Sequence, residues 1–341
     1  MVVWQAGQGR VGGVWFEHDE DVRVKRRYSI TLCLPSLAVV LRLSVVALLC
    51  LFSLCARAEV QLLTSIKPLQ LIAAAVQEGV GPPAVLLPPG ASPHHFALRP
   101  SDVRRVQSVT LLYWIGPDME SFLPRVLQAR SLPSVALQDL PGLQLRHFSK
   151  LESDEHGHDE QAHDEHDHDH RPGTLDAHLW LLPHNAKVIA AKMAADLAQA
   201  DPGNAPRYQS NLAAFEARLD VLDQRLHARL SKVADKPYFV FHEAYDYFEA
   251  AYGLKHAGVF SVAAEVQPGA RHVAAMRERL QAAGPSCVFS EPPLRPRLAQ
   301  TLSAGLPVKL AEMDALGAEA QSYEQLLEDL ANELADCLES L

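Results

Sequence analysis

From Asn204 to about Val233 the chain keeps one helical hydrophobic period, a run of about thirty residues. That is long for a globular helix, and strand and helix signals alternate on both sides of it. Before it come a β-rich run at 60–66, a periodic helix at 69–78 and a short strand leading into a loop at 84–90. A helix opens at the Pro-Ser-Asp of 100–102; a strand at 109–116, a helix at 117–127 and a strand at 134–140 follow. An amphipathic helix at 185–201 leads into the long one. Beyond it, 238–242, 286–292 and 307–313 read as strands, and 271–284 and 322–341 as helices. Short connections between alternating strands and helices indicate an α/β fold of parallel sheets. The expected organisation is an N-terminal βα lobe over 59–200, a linking helix over 201–233 and a C-terminal βα lobe over 234–341. In such folds ligands sit beyond the C-terminal ends of the strands, here in a crevice between lobes.

One segment breaks the alternation. Residues 153–170 hold eight acids, no Lys or Arg, and six histidines: His156, His158, His163, His166, His168 and His170. This is the composition of a metal-binding tract; the alternative is a solvated acidic tether with incidental histidines. The tract accounts for most of the formal net charge of −10, while 48% hydrophobic residues describe a globular remainder. No basic footprint for nucleic acid exists in such a chain.

The N-terminus is expected to lie outside the fold. A basic cluster, VKRR at 24–27, precedes an apolar run at 43–56 that is short for a membrane span. The run ends in Ala56-Arg57-Ala58, a small-x-small pattern, so residues 1–58 read as an extension plus a signal peptide cleaved after Ala58. The alternative is a retained anchor. Residues 1–23, with Trp4 and Trp15, are unlike the n-region of a signal and suggest an over-extended start. Removing 1–58 leaves two cysteines, Cys287 and Cys337. An even pair in an exported protein suggests one disulfide, with two buried free thiols as the alternative.

Histidines outside the tract fall at strand ends and loops. His94 and His95 follow Pro88-Pro89-Gly90, His178 lies just past the tract, and His242 ends the strand YFVFH. One such histidine is usually structural; three from both lobes are a candidate metal site. Neutral imidazoles suit Zn²⁺, whereas Mn²⁺ prefers carboxylate oxygens. Three histidines with a carboxylate or water make a tetrahedral set, and each outer ring nitrogen then needs a carboxylate or carbonyl partner. Asp176 and Glu243 stand too near their histidines in sequence to be assigned that role.

The stretches GASPHHFALRPSD, DAHLWLLP, YFVFHEAYDYFEAAYGL, EVQPGARH and CVFSEPPLRP, in this order, resemble the periplasmic zinc-binding proteins of ABC-type zinc uptake systems, the ZnuA family. The resemblance runs from about residue 60 to the C-terminus. It implies zinc ligation by His94, His178 and His242, two βα lobes joined by a rigid long helix, and a Cys287–Cys337 disulfide. Related manganese-binding proteins carry a glutamate where His242 stands, and the histidine here argues against manganese. The fourth ligand stays open: Asp314 matches an aspartate used by those relatives, and water and Glu120 are its rivals. His95 competes with His94, although neighbours in an extended segment point oppositely.

The expected function is therefore periplasmic capture of Zn²⁺, the transported ligand, and its delivery to a membrane permease by a monomeric protein. In that reading the tract gives weak, interchangeable sites, because ordering it on metal costs entropy. One rival is a zinc hydrolase, with Glu243 or Glu291 as base. The chain contains no HExxH and no nucleophile elbow. A second rival is a zinc buffer or adhesin working without a transporter.

Overall fold

A computed structural model describes residues 60–148, 173–261, 269–292 and 297–341. The signal region, the six tract histidines and the first half of EVQPGARH lie outside these residues.

The N-terminal half builds β1 (Leu62–Thr64), α1 (Lys67–Val76), β2 (Ala84–Val85), α2 (Pro100–Ser108), β3 (Leu111–Trp114), α3 (Pro124–Leu127), β4 (Ser134–Ala136) and α4 (Pro183–Ala200). Its sheet has the order β2-β1-β3-β4, all parallel. The long helix α5 (Ala205–Leu230) follows. The C-terminal half comprises β5 (Tyr238–His242), α6 (Asp246–Tyr252), β6 (Gly258–Ser261), α7 (Ala270–Ala283), β7 (Ser286–Ser290), α8 (Arg297–Ser303), β8 (Val308–Glu312) and α9 (Tyr323–Glu339). Its sheet repeats the same pattern, β6-β5-β7-β8, again parallel. In both, the order reverses at the first strand of the half. This is the switch point beyond which parallel sheets leave a crevice.

Burial explains the strands. In β1, β3 and β5 every residue is buried, as expected when helices cover both faces of a parallel sheet. Helix α5 buries Tyr208, Phe215, Leu219, Leu222, Leu226 and Leu230, one stripe at helical spacing. Against that stripe pack α1 and α4 from the first half and α9 from the second. Ion pairs from Arg218 to Glu324 (2.7 Å) and from Arg229 to Asp336 line its outer edge. The Cys287–Cys337 disulfide ties β7 to α9 across 50 residues of sequence. One apolar core runs from Leu62 to Leu338 through both halves. Among the described residues no helix is long and apolar enough to cross a membrane.

Some elements depart from the sequence expectation. The strand expected over 84–90 pairs only at Ala84–Val85. Leu86 and Leu87 still donate to the Thr64 and Ser65 carbonyls before the prolines end the ladder. The helix expected over 117–127 shrinks to Pro124–Leu127. There the Glu120 carboxylate, rather than a helix carbonyl, accepts the Ile115 and Gly116 amides. Helices α6 and α8 and strand β6 carried too little periodicity to be read from sequence. The long helix is 26 residues, shorter than 201–233 because Pro202 and a turn at Asn204 separate it from α4.

Candidate metal centre

The loop from β2 to α2 turns at Gly90, whose φ of +75° favours glycine, and delivers His94 inward. His94 is buried and His95 is exposed, the alternation expected of extended chain. The segment leading into α4 brings His178 to the same place, just ahead of a 3₁₀ turn at Leu179–Leu181. His242 is the last residue of β5, at the switch point of the second sheet. The three rings lie 5.4 Å (His94–His178), 5.5 Å (His94–His242) and 5.1 Å (His178–His242) apart between centroids. One nitrogen from each falls within 4.8 Å of the others, and all three residues are buried. Tetrahedral zinc, with metal–nitrogen bonds of about 2.0–2.1 Å, places its donors roughly 3.3 Å apart, so small ring rotations close the set.

Two rings are held from behind. Asp176, fully buried, accepts from the His178 Nδ1 at 2.7 Å and from the His178 backbone amide at 2.9 Å, both on Oδ1. A carboxylate only accepts, so the proton sits on Nδ1 and the Nε2 lone pair is left for the crevice. Glu291, just past β7, faces the His242 Nδ1 with both oxygens at 3.2 Å. Tyr245 steadies this pair, its hydroxyl donating to the Met313 carbonyl at 2.7 Å and lying 3.2 Å from Glu291 Oε1. Asp176, named from sequence but not assigned, thus backs its own close neighbour. For His242 the partner is Glu291, which sequence reasoning had considered only as a base, and not the adjacent Glu243. No local signal links residues 242 and 291; pairing of β5 with β7 does.

Burial, with the neighbouring His242 and His94, holds the His178 ring well below the usual imidazole range. The ring is therefore a neutral donor at ordinary pH. Burial lifts the Asp176 carboxyl to about 7, against the opposing pull of the His178 amide and nearby cationic groups. Burial also raises Glu291, but the charge and hydrogen bond of His242, with His178 and Tyr245, outweigh it and leave the carboxyl below its ordinary value.

Two fourth-ligand candidates stand apart from the three nitrogens. Asp314 accepts the Leu316 amide on Oδ1 (2.9 Å) and the Ala318 amide on Oδ2 (2.7 Å), closing a turn completed by Gly317. Glu120 is fully buried, with both oxygens on the Ile115 and Gly116 amides, and burial raises its carboxyl to about 7. Neither joins the group of donor atoms around the histidines.

Comparison with known proteins extends this picture. The family model "Zinc-uptake complex component A periplasmic" (ZnuA) matches residues 62–337. A high-affinity zinc uptake system protein ZnuA of Brucella abortus is 38% identical over 301 residues, covering 80% of this chain and 90% of its own. Its namesake in Yersinia pestis is 39% identical over 293 residues, covering 82% and 92%. Among solved structures, a crystal structure of ZnuA superposes with a TM-score of 0.69 at 22% identity, covering 82% of this chain and all of that one. The solute-binding protein FpvC of Pseudomonas aeruginosa, in complex with Mn²⁺, gives 0.67 at 19%, covering 83% and 99%. The structural likenesses establish a shared fold; the family match and the curated relatives go further, and place this chain in the ZnuA family of periplasmic zinc-uptake components.

Proposed function

We propose that this protein captures Zn²⁺ outside the cytoplasmic membrane and hands it to the permease of an ABC transporter. It acts as a monomeric binding protein and not as an enzyme. The observation that carries the reading is the convergence of three buried imidazoles from both halves, two of them oriented by carboxylates. Imidazole donors suit zinc, and a set assembled between two sheets offers the ion a dry, shaped cage. His94, His178 and His242 ligate the ion. Asp314 is the carboxylate candidate for the fourth position, and an Asp314→Asn variant decides between it and a water molecule. Export follows from the apolar run at 43–56, with cleavage after Ala58. The functional division is an N-terminal lobe to about residue 200, a linking helix, and a C-terminal lobe from about 234. Family membership and the zinc named in the relatives' descriptions support this reading.

Single changes His94→Ala, His178→Ala and His242→Ala, made in a chain lacking residues 153–170, test the assignment. Chelator competition should show each one weakening zinc binding at least tenfold. Unchanged affinity in all three variants rejects the site. Hydrolytic assays on the zinc-loaded protein should show no turnover above that of free zinc.

A further inference from the structure

A second constellation lies beside the first. Glu243, Asp246 and His256 each offer a ligand atom within 4.8 Å of the other two. Glu243 is the residue after His242, so two sequence neighbours serve two different clusters. Asp246 opens α6, and His256 follows its C-terminal Gly253 turn. We propose that these three residues form a second site for a zinc-class divalent cation, weaker than the histidine site and open to solvent on one side.

Three observations carry this. The first is orientation. His256 Nδ1 lies 2.9 and 3.0 Å from the two Glu249 oxygens, and Glu249 is itself anchored by the Tyr238 hydroxyl at 2.6 Å. The carboxylate holds the proton on Nδ1 and leaves Nε2 to coordinate, the same carboxylate–histidine arrangement that backs His178 and His242. The second is a buried acid. Glu243 is 6% exposed and its carboxylate belongs to the cluster. Taking a carboxylate largely out of water is costly, and a bound cation offsets that cost. The third is local charge. Asp176 and Glu249 also act on Asp246, opposed by His256 and Arg146. Asp176 Oδ2 is buried with no hydrogen-bond partner, while its Oδ1 holds His178. The carboxylates of Asp176 and Glu249 add negative potential at the cluster, which favours a cation there.

Imidazole nitrogen and carboxylate oxygen are both zinc donors, and water completes the set here. With two of the three residues only partly buried, the ion exchanges faster here than among three buried imidazoles. The site is independent of the histidine assignment and can be tested separately. Crystals of the full mature chain are soaked in excess zinc chloride, and anomalous scattering is recorded at the zinc edge for wild type, His256→Asn and Asp246→Asn. The expected result is a zinc peak between Glu243, Asp246 and His256 that vanishes in both variants, while the peak among His94, His178 and His242 persists. Equilibrium dialysis should show one zinc fewer per chain in each variant, with unchanged thermal melts of the metal-free proteins. No peak at saturating zinc, or a peak indifferent to both substitutions, overturns the proposal; the cluster is then an ion pair of protonated His256 with its acids. A peak here with none at the three histidines would instead overturn the main assignment.

Discussion

The centre turns on single protons. Each imidazole must be neutral to bind metal, and free imidazole titrates near pH 6.5, so protons compete with zinc as pH falls. Zinc affinity should drop steeply between about pH 7 and 5, read by chelator competition. Burial holds His178 well below the ordinary range, so it stays a neutral donor through that window. An affinity independent of pH across that window would mean that the ligands are not histidines. Orientation is the other lever at this scale. Asp176→Ala frees the His178 ring to flip and exposes its Nδ1 to competing contacts. Loss of such a partner typically costs 10–100-fold in metal affinity, and Glu291→Ala should act similarly through His242. Both variants should still fold, and circular dichroism separates lost binding from lost structure.

Among the elements, two connections can be measured: one joins pieces far apart in sequence, and the other replaces a helix locally. The disulfide between β7 and α9 closes a loop spanning 50 residues, worth about 4 kcal/mol on the chain-entropy model. A Cys287→Ala/Cys337→Ala chain should lose roughly that much in denaturant unfolding, with zinc affinity little changed, because neither residue touches the histidines. Glu120 plays a comparable part after β3, where its carboxylate takes two amides that a helix would otherwise satisfy. Glu120→Ala leaves the Ile115 and Gly116 amides buried and unpaired, at about 1–3 kcal/mol for each. A fall of that size in unfolding free energy is expected, and no change would show that water replaces the carboxylate.

At the scale of the molecule, the two halves are bolted together rather than hinged. The Trp180 indole donates to the Ala315 carbonyl at 2.9 Å, and the Tyr323 hydroxyl donates back to the Trp180 carbonyl. The Tyr247 hydroxyl reaches the Asp176 carbonyl and accepts the Arg146 amide, each at 2.9 Å. With one apolar core through both halves and α5 packed on each, wide opening would break buried contacts. Small-angle scattering should therefore show a change in radius of gyration of less than about 1 Å on zinc binding, in contrast to hinge-closing binding proteins. The described residues on either side of the acidic histidine tract are held to one another independently of it. His147 bridges Leu175, while the Phe148 amide donates to Thr174 and the Gly173 amide to Phe148. Deleting 153–170 should leave the tight site and the fold intact and remove only weaker zinc equivalents in a calorimetric titration. Loss of the tight site on that deletion would move the specific site into the tract.

The α/β class and the long helix were legible because each is written locally. The cysteine pair and the strand-end histidines were candidates by position, and the family resemblance singled out His94, His178, His242 and the Cys287–Cys337 bridge. A period of 3.6, a run of β-branched and aromatic residues, or a histidine directly after a strand needs only a few neighbours to be read. What lay beyond reading were relations between distant segments. Glu291 backs His242 only because β7 pairs beside β5, whereas Asp176 reaches His178 from two residues away. Glu243, beside a ligand histidine in sequence, turns instead to Asp246 and His256. Helices α6 and α8 are too short to show a period, and β2 pairs for two residues before the prolines stop it. Local patterning determines which pieces form and which faces they bury. Sheet order and the packing of the two halves decide which side chains meet, since a hydrogen bond or a shared ion depends on positions within an ångström that no single segment sets.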